Sequence, residues 1–189
     1  MTETRRTALL AGLAAATATA ALAETASAPY VSPFTGGPHD FDWLQGKWNV
    51  RHRRLNGRLV GSTDWQEFAG TSELWLTLGG HGTVDDNWLD IPSGAYRAVG
   101  IRAFDPATKQ WAIWWLDERS PRSIETPVFG GFKDGQGTFV APDTLNGKPI
   151  LVRFRWHDIT ATTAQWDQAF SPDGGQTWEE NWHMDFSKA

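Results

Sequence analysis

"YRAVGIRAFDPATKQWAIWWLDER", Tyr96 to Arg119, decides the fold. Two aliphatic and aromatic runs, 95–105 and 110–117, flank the turn Asp105-Pro106-Ala107-Thr108-Lys109. Runs of this length bounded by turn residues read as strands, and so short a link joins antiparallel neighbours. The second run contains consecutive tryptophans, Trp114 and Trp115, so one of them points outward whatever the register. Placing Trp115 inward takes Trp111, Ile113 and Asp117 with it; the opposite phase puts Ala112, Trp114 and Leu116 inside, and the sequence leaves both open. An outward tryptophan calls for cover, from a second copy of the chain in a homodimer or from an N-terminal arm packed over it.

The same pattern extends in both directions. Turn signals stand at Asn56-Gly57, Asp134-Gly135, Asn146-Gly147 and Ser171 to Gln176, and Asn-Gly favours the type I′ hairpin. Strands are expected at 47–55, 61–69, 72–79, 82–90, 95–105, 110–117, 127–133, 138–142, 148–158, 163–171 and 176–186, with some early ones merging to leave about ten. No stretch keeps apolar residues at helical spacing for three turns. A meander of that many twisted strands disposes of its edges by closing into a barrel, and no longer repeat suggests a propeller. The expected fold is all-β: a single antiparallel up-and-down barrel with a short N-terminal helical turn closing one end.

The N-terminus sets the expected compartment. Arg5-Arg6 precede an uncharged Ala/Leu/Thr run ending in Ala21-Leu22-Ala23, the pattern of a twin-arginine signal peptide over residues 1–23. The run is too short and too weakly apolar to span a membrane. Residues 24–39, with Pro29, Pro33, Pro38 and Gly36-Gly37, read as an arm, and 40–189 as one barrel domain. Losing Glu3, Arg5 and Arg6 makes the formal charge of −5 one unit more negative, which argues against nucleic acid as a partner. With no cysteine, an exported chain must rely on its core rather than disulfides. The expected location is periplasmic or secreted.

The barrel opens with "FDWLQGKWNV", Phe41 to Val50, in which Gly46-Lys47-Trp48 enters the first strand. Together with "EFAGTSELWLTLGGHGTVDDNW", the 96–119 stretch and "WDQAFSPDGGQTWEENWHMDF", it resembles an uncharacterised family of exported bacterial calycin-like barrels, a domain of unknown function. The resemblance covers nearly the whole mature chain and implies a fold related to lipocalins, fatty-acid-binding proteins and nitrobindins, with no established activity. It implies that Trp48 plugs one end of the barrel. Calycins often stack a late arginine on that tryptophan; this chain offers Lys188 instead, an ammonium without guanidinium's planar stacking.

Motifs for catalysis are missing: no Gly-x-Ser-x-Gly, no phosphate-binding glycine loop, no cysteine nucleophile, no His-Glu-x-x-His. "GGHG", Gly79 to Gly82, reads as a tight turn. Histidines 39, 52, 81, 157 and 183 lack metal-ligand spacing, so neither metal nor cofactor is expected. Nitrobindins bind haem through a single barrel histidine, which makes His183 the candidate for that alternative. "SPDGGQTW", Ser171 to Trp178, resembles the Asp-box hairpin of sialidase propellers; occurring once, it reads as a rigid turn built on Asp173.

The anomaly is tryptophan, twelve in all. Strand phase places Trp178, Glu180, Trp182, Met184 and Phe186 inside, with Trp166, Gln168 and Phe170, and Val152, Phe154 and Trp156; Arg153, Arg155 and His157 fall outside. Carboxylate neighbours Asp85-Asp86, Asp117-Glu118 and Glu179-Glu180 point to opposite faces. The expected function is binding of a hydrophobic or aromatic small molecule in the lumen. The candidate ligand-binding residues are Asp86, Arg102, Trp115, Trp156, Trp166, Gln168, Glu180 and Trp182, with no catalytic residue assigned. The alternative is an isomerase, lyase or hydrolase using Asp86, Asp117 or Glu180 as acid or base with Arg102 as electrostatic partner. An interaction module is the third reading, and a lumen filled by tryptophan side chains would favour it.

Overall fold

The computed structural model describes residues 30–189; the expected signal peptide, 1–23, and the start of the expected arm lie outside the described residues. Ten strands follow: β1 (Gly46–Leu55), β2 (Trp65–Thr77), β3 (Gly82–Leu89), β4 (Tyr96–Asp105), β5 (Gln110–Asp117), β6 (Val128–Lys133), β7 (Gln136–Leu145), β8 (Lys148–His157), β9 (Thr163–Ser171) and β10 (Glu179–Lys188). Each pairs antiparallel with its sequence neighbours, and β10 returns to β1, closing the barrel. The fold is therefore the all-β up-and-down barrel that the turn spacing predicts, with 3₁₀ turns at Asp42–Leu44 and Leu78–Gly80 as the helical elements among the described residues.

Turn chemistry explains most connections. Asp134-Gly135 and Asn146-Gly147 both take positive φ, 52° and 78°, then 51° and 76°, as a type I′ hairpin requires. Asn56-Gly57 departs from expectation. Only Leu59 and Gly61 go left-handed there, and a loop over 56–64 joins Leu55 to its partner Trp65. The expected strands at 61–69 and 72–79 are one strand, β2, because Ala69-Gly70-Thr71 continues the ladder opposite Arg51, Val50 and Asn49 without a turn.

One end of the barrel is closed. Phe41 is 1% exposed and meets Trp111 and Phe132 edge-on, each at 5.0 Å, and Phe139 in a stacked arrangement at 5.8 Å. Trp48 donates its indole N–H to the Leu44 carbonyl at 2.7 Å, and Trp43 packs edge-on to Trp48 and Trp156. Such aromatic pairs add about 0.5–1.5 kcal/mol each beyond the area they bury. Gly46 has φ 96°, a conformation glycine adopts without steric cost, and it turns the chain from the 3₁₀ element into β1 with Trp48 facing in. Lys188 pairs with Trp48 across the closing seam; its ammonium stands 4.2 Å from the indole centroid and donates to the Gln45 carbonyl. The arm is tied to this end: Gln110 donates to the Ser32 and Phe34 carbonyls, and Trp111 to that of Gly37.

The opposite end is open, and one seam there is short. β5 and β6 share only the pairs Trp111↔Gly130, Ala112↔Phe129 and Ile113↔Val128. Beyond Ile113, the segment 118–127 runs beside β5 instead, held by the bridge Leu116↔Ile124 and by the Glu125 N–H donating to the Trp115 carbonyl.

Candidate functional site

The lumen is not filled by its tryptophans. Between the aromatic floor and the open end lies a cavity of about 500 Å³. Trp115, Trp166 and Trp182 wall it: Trp166 and Trp182 meet edge-on at 5.7 Å, and Trp115 meets Trp182 at 6.3 Å. Phe154 adjoins Trp166 at 4.9 Å, and Phe170 lines the cavity nearer the mouth. Trp156 sits deeper, against Phe186 at 5.0 Å and Phe41 at 6.4 Å. The phase with Trp115, Trp111, Ile113 and Asp117 inward is the one the structure adopts; Trp114 points outward and is half-buried.

Polar groups are set into this wall. Arg102 on β4 is 7% exposed and pairs with Asp85 on β3, also donating to the Thr83 hydroxyl at 3.3 Å. Asn87 donates to the other Asp85 oxygen and to the Ala98 carbonyl. His52 on β1 stacks on Phe68 at 4.6 Å and accepts the Trp182 indole N–H on Nδ1 at 3.2 Å. Burial, with the Arg54 charge beside it, pushes its pKa down to about 3, so the ring is neutral at ordinary pH. Gln168 donates to Asn181, which is fully buried.

Two sequence-predicted site residues face the wrong way, and the reasons differ. Asp86 lies on the outer surface, paired with Arg97 at 2.6 Å, and Asp85 takes the lumen. Hydrophobicity misleads on β3: the inward set Thr83, Asp85, Asn87 and Leu89 is more polar than the outward set Val84, Asp86 and Trp88. Glu180 is outside because the β9–β10 register shifts between Glu180 and Trp182. One extra residue reverses the phase of everything before it, so Glu179 faces inward, while Glu180 bonds Arg155 at 2.6 Å on the outer face. For the same reason Trp178 is outside, under the Arg153 guanidinium at 4.4 Å.

Arg102, Trp115, Trp156, Trp166, Gln168 and Trp182 all line the cavity. Of the carboxylates considered for acid–base work, Asp86 and Glu180 are therefore outside it. Asp117, at the rim, is clamped by Arg119 at 2.5 to 3.2 Å. Burial opposes its ionisation, yet the Arg119 bonds and charge prevail and hold its pKa below the usual carboxylate range. His183, the haem candidate, also points outward: it packs on Trp65 and bonds Asp167 at 2.5 Å. Among the described residues no cluster of three potential ligands could hold a metal ion.

Asp167 centres that outer cluster, accepting from His183, His157 and Arg155. Burial raises its pKa, but the hydrogen bonds from the two histidines override this and bring it down to about 2. The Ser171–Trp178 turn is likewise self-contained. Asp173 accepts the Gln176 and Thr177 N–H groups and the Thr177 and Ser171 hydroxyls, and Trp178 donates to the Gly175 carbonyl.

His52, Arg54, Arg58, Asn87 and Tyr96 line the lumen without having been anticipated. For β1 a signal existed: with Trp48 inward, every second residue follows, which brings in Val50, His52 and Arg54.

No family model matches the chain, and no curated protein matches it. Among solved structures, EF1p2_mFAP2b bound to DFHBI is similar at 10% identity and a TM-score of 0.44, over 80% of this chain and 98% of that one. A protein of unknown function from the DUF3598 family of Nostoc punctiforme is similar at 12% identity and a TM-score of 0.46, over 79% of this chain. The match covers 49% of that protein, so this chain spans about half its length.

Proposed function

We propose that this protein is an exported, calycin-like barrel that binds a hydrophobic or aromatic small molecule in its lumen. The observation that carries the reading is the cavity of about 500 Å³ left open inside an otherwise closely packed aromatic barrel. Its size and its composition, apolar rings with a few fixed polar groups, are those of small-molecule pockets. Walls of tryptophan and phenylalanine give large contact area at little rotamer cost. Export rests on the Arg5-Arg6 leader and the small-residue pattern Ala21-Leu22-Ala23 that ends it.

Binding is tested by titrating apolar probes and periplasmic extracts while following intrinsic tryptophan fluorescence, alongside native mass spectrometry of the purified protein for a retained ligand. Saturable quenching that weakens in Trp166→Leu supports the lumen as the site. Absence of quenching by every probe, with no retained mass, refutes it. Detection of the mature chain with its N-terminus at Glu24 in the periplasmic fraction tests the export half separately.

A further inference from the structure

The cavity lining carries four guanidiniums, Arg54, Arg58, Arg102 and Arg119, and four carboxylates, Asp85, Asp117, Glu125 and Asp143; Asp85 pairs with Arg102 and Asp117 with Arg119, which leaves Arg54 and Arg58, at the mouth, outside any ion pair among the described residues. Arg54 and Arg58 both line the cavity there. The Arg54 guanidinium lies 5.2 Å from the Trp182 ring and 5.8 Å from that of Phe68, and Arg58 lies 5.6 Å from Phe170. Among the described residues neither forms an ion pair. Arg54 donates one hydrogen bond, to the Tyr96 hydroxyl at 3.4 Å, and Arg58 has no side-chain acceptor. Each guanidinium brings five N–H donors in a planar fork suited to an oxyanion.

Among the described residues, no carboxylate of the mouth comes within ion-pair distance of Arg54 or Arg58, although Asp117, Glu125 and Glu179 are near enough to feel their charge. Asp117 is held by Arg119, Glu179 accepts the Leu59 N–H at 2.7 Å, and Asp143 accepts that of Thr144 at 2.7 Å. Glu125 is exposed along its stem, and burial around its carboxyl, then repulsion from Asp143 and Asp117, pushes its pKa up against the opposing pull of Arg58. Against the opposing charges of Glu125, Tyr96 and Glu179, Arg58 is pushed down by burial first and by the like charge of Arg54 second. An anion placed between the two would relieve both effects. Deeper in, Arg102 Nε and the Trp156 indole N–H are buried without an acceptor among the described residues.

We propose that the lumen's ligand is an organic anion, with an apolar or aromatic body seated on Trp115, Trp166 and Trp182 and a carboxylate-, sulfonate- or phosphate-type group held between Arg54 and Arg58 at the mouth. The proposal rests on the lumen being the binding site, and the probes below separate the two claims. 8-Anilinonaphthalene-1-sulfonate and N-phenyl-1-naphthylamine share one ring system with and without the anionic group.

At low salt the sulfonate is expected to bind at least about tenfold more tightly than the neutral probe, the scale of one charge-assisted contact. Arg58→Gln and Arg54→Gln/Arg58→Gln should abolish the ratio of sulfonate to neutral-probe affinity, and Arg58→Lys should retain part of it. Trp166→Leu should weaken both probes, which locates them in the lumen. Equal affinities for the two probes, or a preference that survives Arg58→Gln and the double variant, overturn the anionic assignment and leave lumen binding standing. Binding of neither probe overturns lumen binding, and the anionic assignment with it. Should the double variant fail to melt cooperatively, Arg58→Gln decides alone, since Arg58 makes no side-chain hydrogen bond whose loss could unfold the chain.

Discussion

Asp167→Asn should destabilise the barrel at neutral pH and progressively less in acid. Asp167 is nearly buried, its side chain 8% exposed, and its carboxylate receives Arg155, His157 and His183. Holding that carboxyl at about 2 in the folded state, against 3.8 when free, corresponds to about 2 kcal/mol. Because the folded pKa is the lower one, this stability is fully present above about pH 4 and is lost as the pH falls from about 4 to about 2. His183, raised by the same hydrogen bond, behaves in the opposite sense: its contribution is complete below 6.5 and fades as the pH rises through its folded pKa. The two shifts describe one interaction and are counted once. Urea unfolding of wild type and variant at pH 7, 5, 4, 3 and 2 should give a difference of about 2 kcal/mol at the upper end that shrinks between pH 4 and pH 2. Asparagine also replaces one acceptor oxygen by a donor, which adds a loss independent of pH. A difference constant across the whole range would mean that ionisation of Asp167 contributes nothing and would refute the linkage argument.

Asp85→Ala should cost about 3–5 kcal/mol in urea unfolding, because it strips the buried Arg102 of its counter-ion, and Asp85→Leu/Arg102→Met should recover most of the loss. Gly130→Ala should lower stability by about 1–3 kcal/mol in thermal unfolding, since a β-carbon there would stand 1.9 Å from the Thr138 carbonyl oxygen. Asp173→Ala should lower the midpoint of thermal unfolding while leaving probe affinity per folded molecule unchanged; a normal melting curve with abolished binding would contradict its assignment to the turn. Glu180→Gln should leave lumen binding untouched, and weakened binding would show that its outward placement is wrong.

The barrel was legible in the sequence because its signals are local. Asp134-Gly135 and Asn146-Gly147 announce hairpins within a few residues, and Trp166, Gln168 and Phe170 read in phase because β9 is regular. The site was legible only where a strand's apolar face is its inner face. On β3 it is not: Asp85 and Asn87 are tolerated inside because Arg102, on the next strand, satisfies the charge, and that register cannot be read from either strand alone. On β10, the insertion of Asn181 into the ladder separates Glu180 from the phase of Trp182, and nothing in "WEENWHMDF" marks where the irregularity falls. The mouth was missed for a third reason. Arg58 sits in a loop, 56–64, longer than the expected link of 56–60, and a loop residue has no strand phase from which its direction can be read.

The brief pairing of β5 with β6 gives the barrel an uneven resistance to local opening. Trp115, Leu116 and Asp117 hold the 118–127 segment through one isolated bridge and two backbone hydrogen bonds, from Glu125 to Trp115 and from Ser120 to Asp117, rather than a full ladder. Cooperative units with few backbone bonds part at the lowest free energy. Amide exchange should therefore be quickest along this flank and slowest at the seam of β1 with β2, where paired residues run unbroken from Gly46 to Leu55. The fast flank borders the cavity that Glu125, Thr126 and Val128 line, so transient parting there widens the mouth while the far side of the wall stays closed. Ligand exchange rates would then follow the breathing of this one flank rather than the stability of the whole barrel.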